Sequence, residues 1–373
     1  MALDSTIDRA RAALKHASWG ERSEWREGLS YRYEQPDLGQ LELDLVDLAR
    51  EGRELYAGIA SQLAGGRDGR LQLEQLSRAT GRVQIATLAR GLYVPAGLFY
   101  DHVLEVAPAQ GQSYRLCPDF LAALAADEPL EALACFEQGC AHADDPYVVC
   151  ASGFWGYRHE MGWPTGVGGG PVRSIMCGQA PPGIAIGVST DPALTLRAAH
   201  AQRIAALGDA RIAERRAELT PLLTGAPHLV YLFCHGGVTD TGSPFLEIGP
   251  EGDQTISTVY LVNEGIHWSA QRPLVFINGC STTALEPRQI IDLVAAFVEE
   301  ANAIGVVGTE LTVFQQLACS FAETMLEVFL DGSASVGAAV RHARLALLKE
   351  LNPLGLVYVP FVAADTELVR DSI

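Results

Sequence analysis

The chain has 373 residues, of which 48% are hydrophobic and 19% charged, which supplies a sizeable core and excludes a disordered or fibrous protein. Its 45 Asp and Glu against 27 Lys and Arg give a formal charge of −18, a field that repels phosphate polyanions. No basic patch interrupts that field, so nucleic acid is not an expected partner. A membrane is not expected either, because no run of about 18 apolar residues occurs.

Residues 1–38 form a charged, amphipathic segment rich in Arg and Glu, an N-terminal helical extension that ends at the turn signal of residues 35–39 (QPDLG). Its first residues are charged from Asp4 onward and lack the apolar core of a secretory signal, which points to the cytoplasm. Residues 39–373 make up the main domain. Leu41, Leu43 and Leu45 alternate with Gln40, Glu42 and Asp44, predicting a half-buried strand, and a helical pattern follows over residues 46–64 to Gly65-Gly66. A strand is expected at residues 83–88, then an apolar, turn-containing stretch at 92–100.

Residues 101–175 are the least regular and read as an insert, with Cys117, Cys135, Cys140 and Cys150, the aromatic cluster Phe154-Trp155-Gly156-Tyr157 and a Gly-rich loop at 166–171. Beyond them the pattern becomes rhythmic. Strands are expected at 184–188, 229–234, 274–277, 304–307 and 356–362, and helices at 194–207, 287–300, 314–330 and 336–351. Residues 211–216 (RIAERR) read as the solvated face of a helix. Strands alternating with helical patterns predict an α/β fold with a mostly parallel central sheet and helices on both faces.

Two apolar runs stop at reactive side chains: residues 229–237 (LVYLFCHGG) at His235 and residues 274–281 (LVFINGCS) at Cys280. Ligands of open α/β sheets bind beyond the strand carboxyl ends. A thiol and an imidazole meeting there are the minimum for nucleophilic acyl chemistry, the thiolate attacking and the imidazole moving protons. Gly236 and Gly237 let the backbone turn close to a substrate, and Cys234 is assigned to the core by strand alternation.

Other chemistries fit less well. The loop at 166–171 lacks the Lys-Ser/Thr of a phosphate-binding loop, and no Gly-x-Ser-x-Gly elbow occurs. His142 near Cys140 and His159 near Cys150 match no standard zinc spacing, so no metal and no cofactor are expected, and the eight cysteines read as reduced thiols, most of them small core residues.

The two blocks ending in His-Gly and in a small residue before Cys resemble the signature of the caspase-like (clan CD) cysteine peptidases, which include caspases, separases, gingipains and legumains. More closely, the chain resembles the bacterial CHAT domain, a caspase-like module related to separase. Supporting text includes residues 95–101 (PAGLFYD), 152–159 (SGFWGYRH), 304–310 (IGVVGTE), 339–348 (AVRHARLALL) and 352–358 (NPLGLVY). The resemblance spans about residues 41–362 and departs at 95–99, where related domains often carry Pro-Trp-Glu-Leu-Leu.

The resemblance implies a caspase-like three-layer sandwich, with His235 as general base and acid and Cys280 as the nucleophile of a thioester acyl-enzyme. The backbone N–H groups of Gly236 and Cys280 would form the oxyanion hole, and no acidic third member is demanded. Asn278 matches a position lining the S1 pocket, where an acid for a basic P1 side chain would come from Glu310 or Asp240. It further implies an endopeptidase acting on specific protein partners in bacterial defence or programmed death, with an effector such as a gasdermin as substrate. Residues 1–38 leave little room for a fused sensor, so activation would come from a partner or from assembly. The alternatives are a catalytically idle CHAT scaffold and peptide ligation on the same residues.

Overall fold

The structure, a computed structural model, describes residues 3–86, 93–164, 173–250, 252, 255–279 and 287–370. Cys280, the Gly-rich loop at 166–171 and the end of the expected strand at 83–88 lie outside the described residues. Ile7, Ala10, Leu14 and Ala17 form the buried stripe of α1 (Leu3–Trp19), which packs on α2 (Leu38–Leu63). Asp37 caps α2, its side chain accepting the Gln40 N–H at 2.9 Å.

The strand expected at residues 40–45 is therefore the first turns of a helix. Leu41, Leu45, Leu48 and Ala49 are buried at helical spacing while Leu43 is 70% exposed, so the alternation of three leucines is a fragment of a 3.6-residue period. After α3 (Arg67–Arg78) and β1 (Arg82–Gln84) the elements become short: β2 (Arg115–Leu116), α4 (Pro118–Ala125), α5 (Ala134–Glu137), β3 (Val148–Val149), α6 (Trp155–Arg158), β4 (Glu160–Gly162) and β5 (Ser174–Met176).

The main sheet follows. It comprises β6 (Gly183–Val188), β7 (Asp209–Ala213), β8 (Leu229–Val238), β9 (Pro244–Glu247), β10 (Thr255–Ile256), β11 (Leu274–Gly279), β12 (Gly305–Thr309) and β13 (Tyr358–Phe361). Between β6 and β8 the chain passes through α7 (Arg197–Ala205) and α8 (Arg216–Thr224), and α9 (Thr258–Asn263) precedes β11. Then α10 (Pro287–Ala295), closed by a π-helical turn at Ala296–Glu300, leads to β12, and α11 (Gln315–Leu330) and α12 (Val336–Lys349) lead to β13. A last strand, β14 (Glu367–Val369), pairs with β5.

The body of the sheet runs β7-β6-β8-β11-β12-β13, parallel up to β12, with β13 antiparallel. In β8 every residue from Leu229 to His235 is buried, the signature of a parallel strand covered on both faces. Residues 211–216, expected on a helix, instead span the end of the edge strand β7, the two connecting residues 214–215 and the first residue of α8. One side of an edge strand meets solvent and tolerates Arg211, so the run reads as a helix face from the sequence alone. Nor does β8 stop at Cys234: it runs parallel to β11 as far as the Cys234–Gly279 register, then changes partner and forms a hairpin with β9 from His235 to Val238. Among the described residues no helix is long and apolar enough to cross a membrane.

Candidate active site

Sheet topology singles out one place on the carboxyl edge. The chain leaves β6 for β7 on one side and later returns to β8 on the other, which makes the gap between the ends of β6 and β8 a topological switch point, where ligands of open α/β sheets bind. The end of β8 presents His235 and the loop after β6 presents Asp191, with Nε2 of His235 2.8 Å from Asp191 Oδ2. The two atoms are in direct contact, which becomes an ion pair when the ring carries its second proton. The His235 side chain is 5% exposed and that of Asp191 29%, so the carboxylate reaches solvent while the ring is enclosed.

Asp191 is held from within its own loop. Its Oδ1 accepts the Ala193 N–H at 2.7 Å, its own N–H donates to Ser189 Oγ at 3.3 Å, and Arg197 Nη1 donates to its carbonyl at 3.0 Å. Gly237 is required by packing: a Cβ there would come within 2.6 Å of Phe245 Cζ across the hairpin. A cleft of about 820 Å³ opens beside Thr190, bordered by Arg197, Glu214, Arg215 and Glu218.

The other expected residues separate from this pair. Asn278 is fully buried: its Nδ2 donates to Tyr231 Oη at 2.7 Å and to the Ala318 carbonyl at 2.8 Å, and its Oδ1 accepts from Tyr358 Oη at 2.8 Å. The chain of contacts continues from Tyr231 Oη to His200 Nε2 at 2.6 Å, and from His200 Nδ1 to Glu323 at 2.6 Å. Burial holds the His200 imidazole below the ordinary histidine range against the pull of Glu323. A neutral His200 donates from Nδ1 to Glu323 and accepts from the Tyr231 hydroxyl.

Glu310 follows β12 and is 5% exposed. Tyr93 Oη donates to its Oε1 at 2.7 Å, and Arg11 Nε of α1 stands 3.5 Å from its Oε2. Burial pushes its carboxyl upward while Arg11 and Tyr93 pull it back down. Asp240 is exposed in the β8–β9 turn, whose Gly242 has φ +80°. Of the three expected pocket residues, only Asp240 meets solvent. Gly236, the expected oxyanion donor, lies opposite Leu246 in the hairpin, and Cys280, the other donor and the expected nucleophile, lies outside the described residues.

Asp191 was not expected. Its signal was available as a third strand, residues 184–188, followed at once by Ser-Thr-Asp, but only the sheet order puts that strand beside β8. Away from this edge, Cys117, Cys135, Cys140 and Cys150, expected as separate core thiols, converge on one point.

The structure is thus an α/β protein with a His–Asp pair at the switch point of a mostly parallel sheet. No family model matches the chain. Over 99% of its length it is homologous to a probable protease of Vitiosangium sp., with 42% identity across 394 aligned residues. The alignment takes in 50% of that protein, so the chain spans about half the length of the curated relative it matches. Among solved structures, the Arg-specific cysteine proteinase gingipain R is similar at a TM-score of 0.35 and 11% identity, over 58% of this chain and 54% of that one.

Proposed function

We propose that the chain is a cysteine endopeptidase of the caspase-like, CHAT type, with His235 and Cys280 as its catalytic pair and Asp191 as the residue that positions His235. The observation that carries this reading is the His235–Asp191 contact at the switch point, on the strand next to the one that leads into Cys280: Gly279, immediately before Cys280, is in register with Cys234, immediately before His235. Homology to a probable protease supports the reaction class. Burial of β8 on both faces supports the three-layer, caspase-like arrangement.

In this reading the Cys280 thiol passes its proton to His235 and the thiolate attacks a peptide carbonyl. The imidazolium then protonates the departing amine as the C–N bond breaks, leaving a thioester. Water, deprotonated by His235, adds to the thioester and releases the acid and the thiol. With Asp191 at Nε2, the nitrogen that exchanges protons with sulfur is Nδ1, and the carboxylate fixes the ring's orientation as it gains charge. The substrate is a specific protein partner in the cytoplasm, a gasdermin-like effector being the expectation from CHAT relatives, with activation by a second protein.

A peptide bearing a thiol-reactive warhead tests the assignment. Mass spectrometry should locate the label on Cys280 in the wild type and find it lost in Cys280→Ala and slowed in His235→Ala. Labelling of Cys280 no faster than that of the other cysteines, or retained cleavage by Cys280→Ala, overturns it.

A further inference from the structure

The segment between residues 101 and 158 has no element longer than the eight residues of α4, and four of the chain's cysteines sit at its junctions. β2 and β3 pair in parallel with Leu116 opposite Val149, so Cys117 and Cys150, the next residue of each strand, emerge side by side, and the Cys117 N–H donates to the Val149 carbonyl at 2.9 Å. Cys135 enters from α5. The chain then turns back through Gly139, at φ +106° in the left-handed region that glycine permits, and returns Cys140 to the same point.

All four sulfurs lie within 4.8 Å of one another and all four residues are buried. Cys117 Sγ is 3.7 Å from Cys140 Sγ and 4.0 Å from Cys135 Sγ. Four thiolates around a tetrahedral ion at a metal–sulfur distance of about 2.3 Å stand about 3.8 Å apart, the edge of that tetrahedron. We propose that Cys117, Cys135, Cys140 and Cys150 are the ligands of a single structural zinc ion, a closed tetrathiolate site separate from the His235 edge.

Surrounding donors suit thiolates. The His142 N–H points to Cys140 Sγ at 3.4 Å and Ser152 Oγ is 3.2 Å from Cys150 Sγ. α4 begins at the residue after Cys117, so its positive end faces that sulfur. An alternative set of Cys117, Asp119 and His142 is partly exposed, and its acid and imidazole already face each other at 3.8 Å. The spacing is too tight for a two-iron cluster, whose terminal sulfurs lie on separate metals, and four such thiolates select zinc among the common divalent ions. The ion's work is mechanical: it ties together four chain segments that are built on two-residue strands and short helices.

The test uses the full chain purified under reducing conditions without added metal. Elemental analysis should find one zinc per chain, and a mercurial thiol reagent should release it. Cobalt exchange should give the near-ultraviolet thiolate-to-cobalt band together with the visible bands of a tetrahedral ion. Cys135→Ser and Cys150→Ser should each lower zinc affinity at least about tenfold, whereas Cys280→Ala should keep the zinc. If the serine variants fail to fold, the wild-type zinc content and cobalt spectrum still decide. Folded, reduced protein that holds no zinc and gives no cobalt band overturns the site, as does iron in its place or a mass showing the four sulfurs paired as disulfides.

Discussion

Asp191 Oδ2 stands 2.8 Å from His235 Nε2, joining the loop after β6 to the point where β8 changes partner. In the proposed His235–Cys280 pair, a carboxylate in that place would orient the ring and stabilise the imidazolium that forms during proton transfer. Its removal therefore acts on catalysis and not on the fold, because Asp191 is partly exposed. Asp191→Asn should lower kcat by roughly a hundredfold or more with little change in KM or melting temperature. Iodoacetamide alkylation of Cys280, followed by mass spectrometry, should slow in parallel. A variant with unchanged kcat excludes a positioning role for Asp191.

Arg11 and Glu310 form the second cross-chain relationship, with side chains 11% and 3% exposed. Arg11→Met would leave the buried carboxylate without its paired cation, a change that costs roughly 3 kcal/mol when one partner of a buried pair is deleted. Glu310→Gln keeps an acceptor for Tyr93 and should cost less. The double variant should be more stable than the sum of the two losses predicts, by chemical denaturation. Strict additivity would show that the pair does not interact.

The parts of this arrangement legible in the sequence are those where one physical cause dominates. β8, β11 and β12 are buried on both faces, so residues 229–234, 274–277 and 304–307 are unbroken apolar runs. β7 hid because an edge strand tolerates charge, and the start of α2 was misread because three residues of a leucine pattern fit two periods equally well. Asn278 lies on an apolar run, yet only the packed sheet brings Tyr231, Tyr358 and the Ala318 carbonyl to it from three other elements. The cysteine tetrad hid for the same reason: its spacings follow from β2–β3 pairing in strands of two residues, too short to carry any period.

His159 ties stability to pH. It is 2% exposed, accepts from Arg158 Nε at Nε2 over 3.3 Å, and is pushed down to about 4 by burial and then by the Arg158 charge. Unfolded, the ring takes up a proton near pH 6.5. Above pH 6.5 it is neutral in both states and costs nothing. Between pH 6.5 and about 4 the unfolded chain binds a proton that the folded chain refuses, so stability falls as pH falls, by up to ~3 kcal/mol for this residue. His159→Gln keeps an acceptor for Arg158 and removes the titration. The stability difference between the two proteins, followed by denaturant melts from pH 7.5 to 4, should shift in favour of the variant on acidification, and parallel curves would exclude the effect.

Asn278 separates a core role from a pocket role by experiment. Its amide bonds two tyrosine hydroxyls and one backbone carbonyl inside the protein, so Asn278→Leu should remove one hydrogen bond from each of three buried polar groups and cost about 3 kcal/mol. Asn278→Asp should also destabilise, because a carboxylate oxygen would replace the Nδ2 that donates to the Ala318 carbonyl and two acceptors would face each other. A residue lining a substrate pocket would behave in the opposite way, with melting temperature kept and peptide preference changed. Thermal melts of both variants, run beside cleavage of a P1-randomised peptide library, distinguish the two. The buried network predicts a large loss of melting temperature, and an unchanged P1 profile in whatever fraction remains folded.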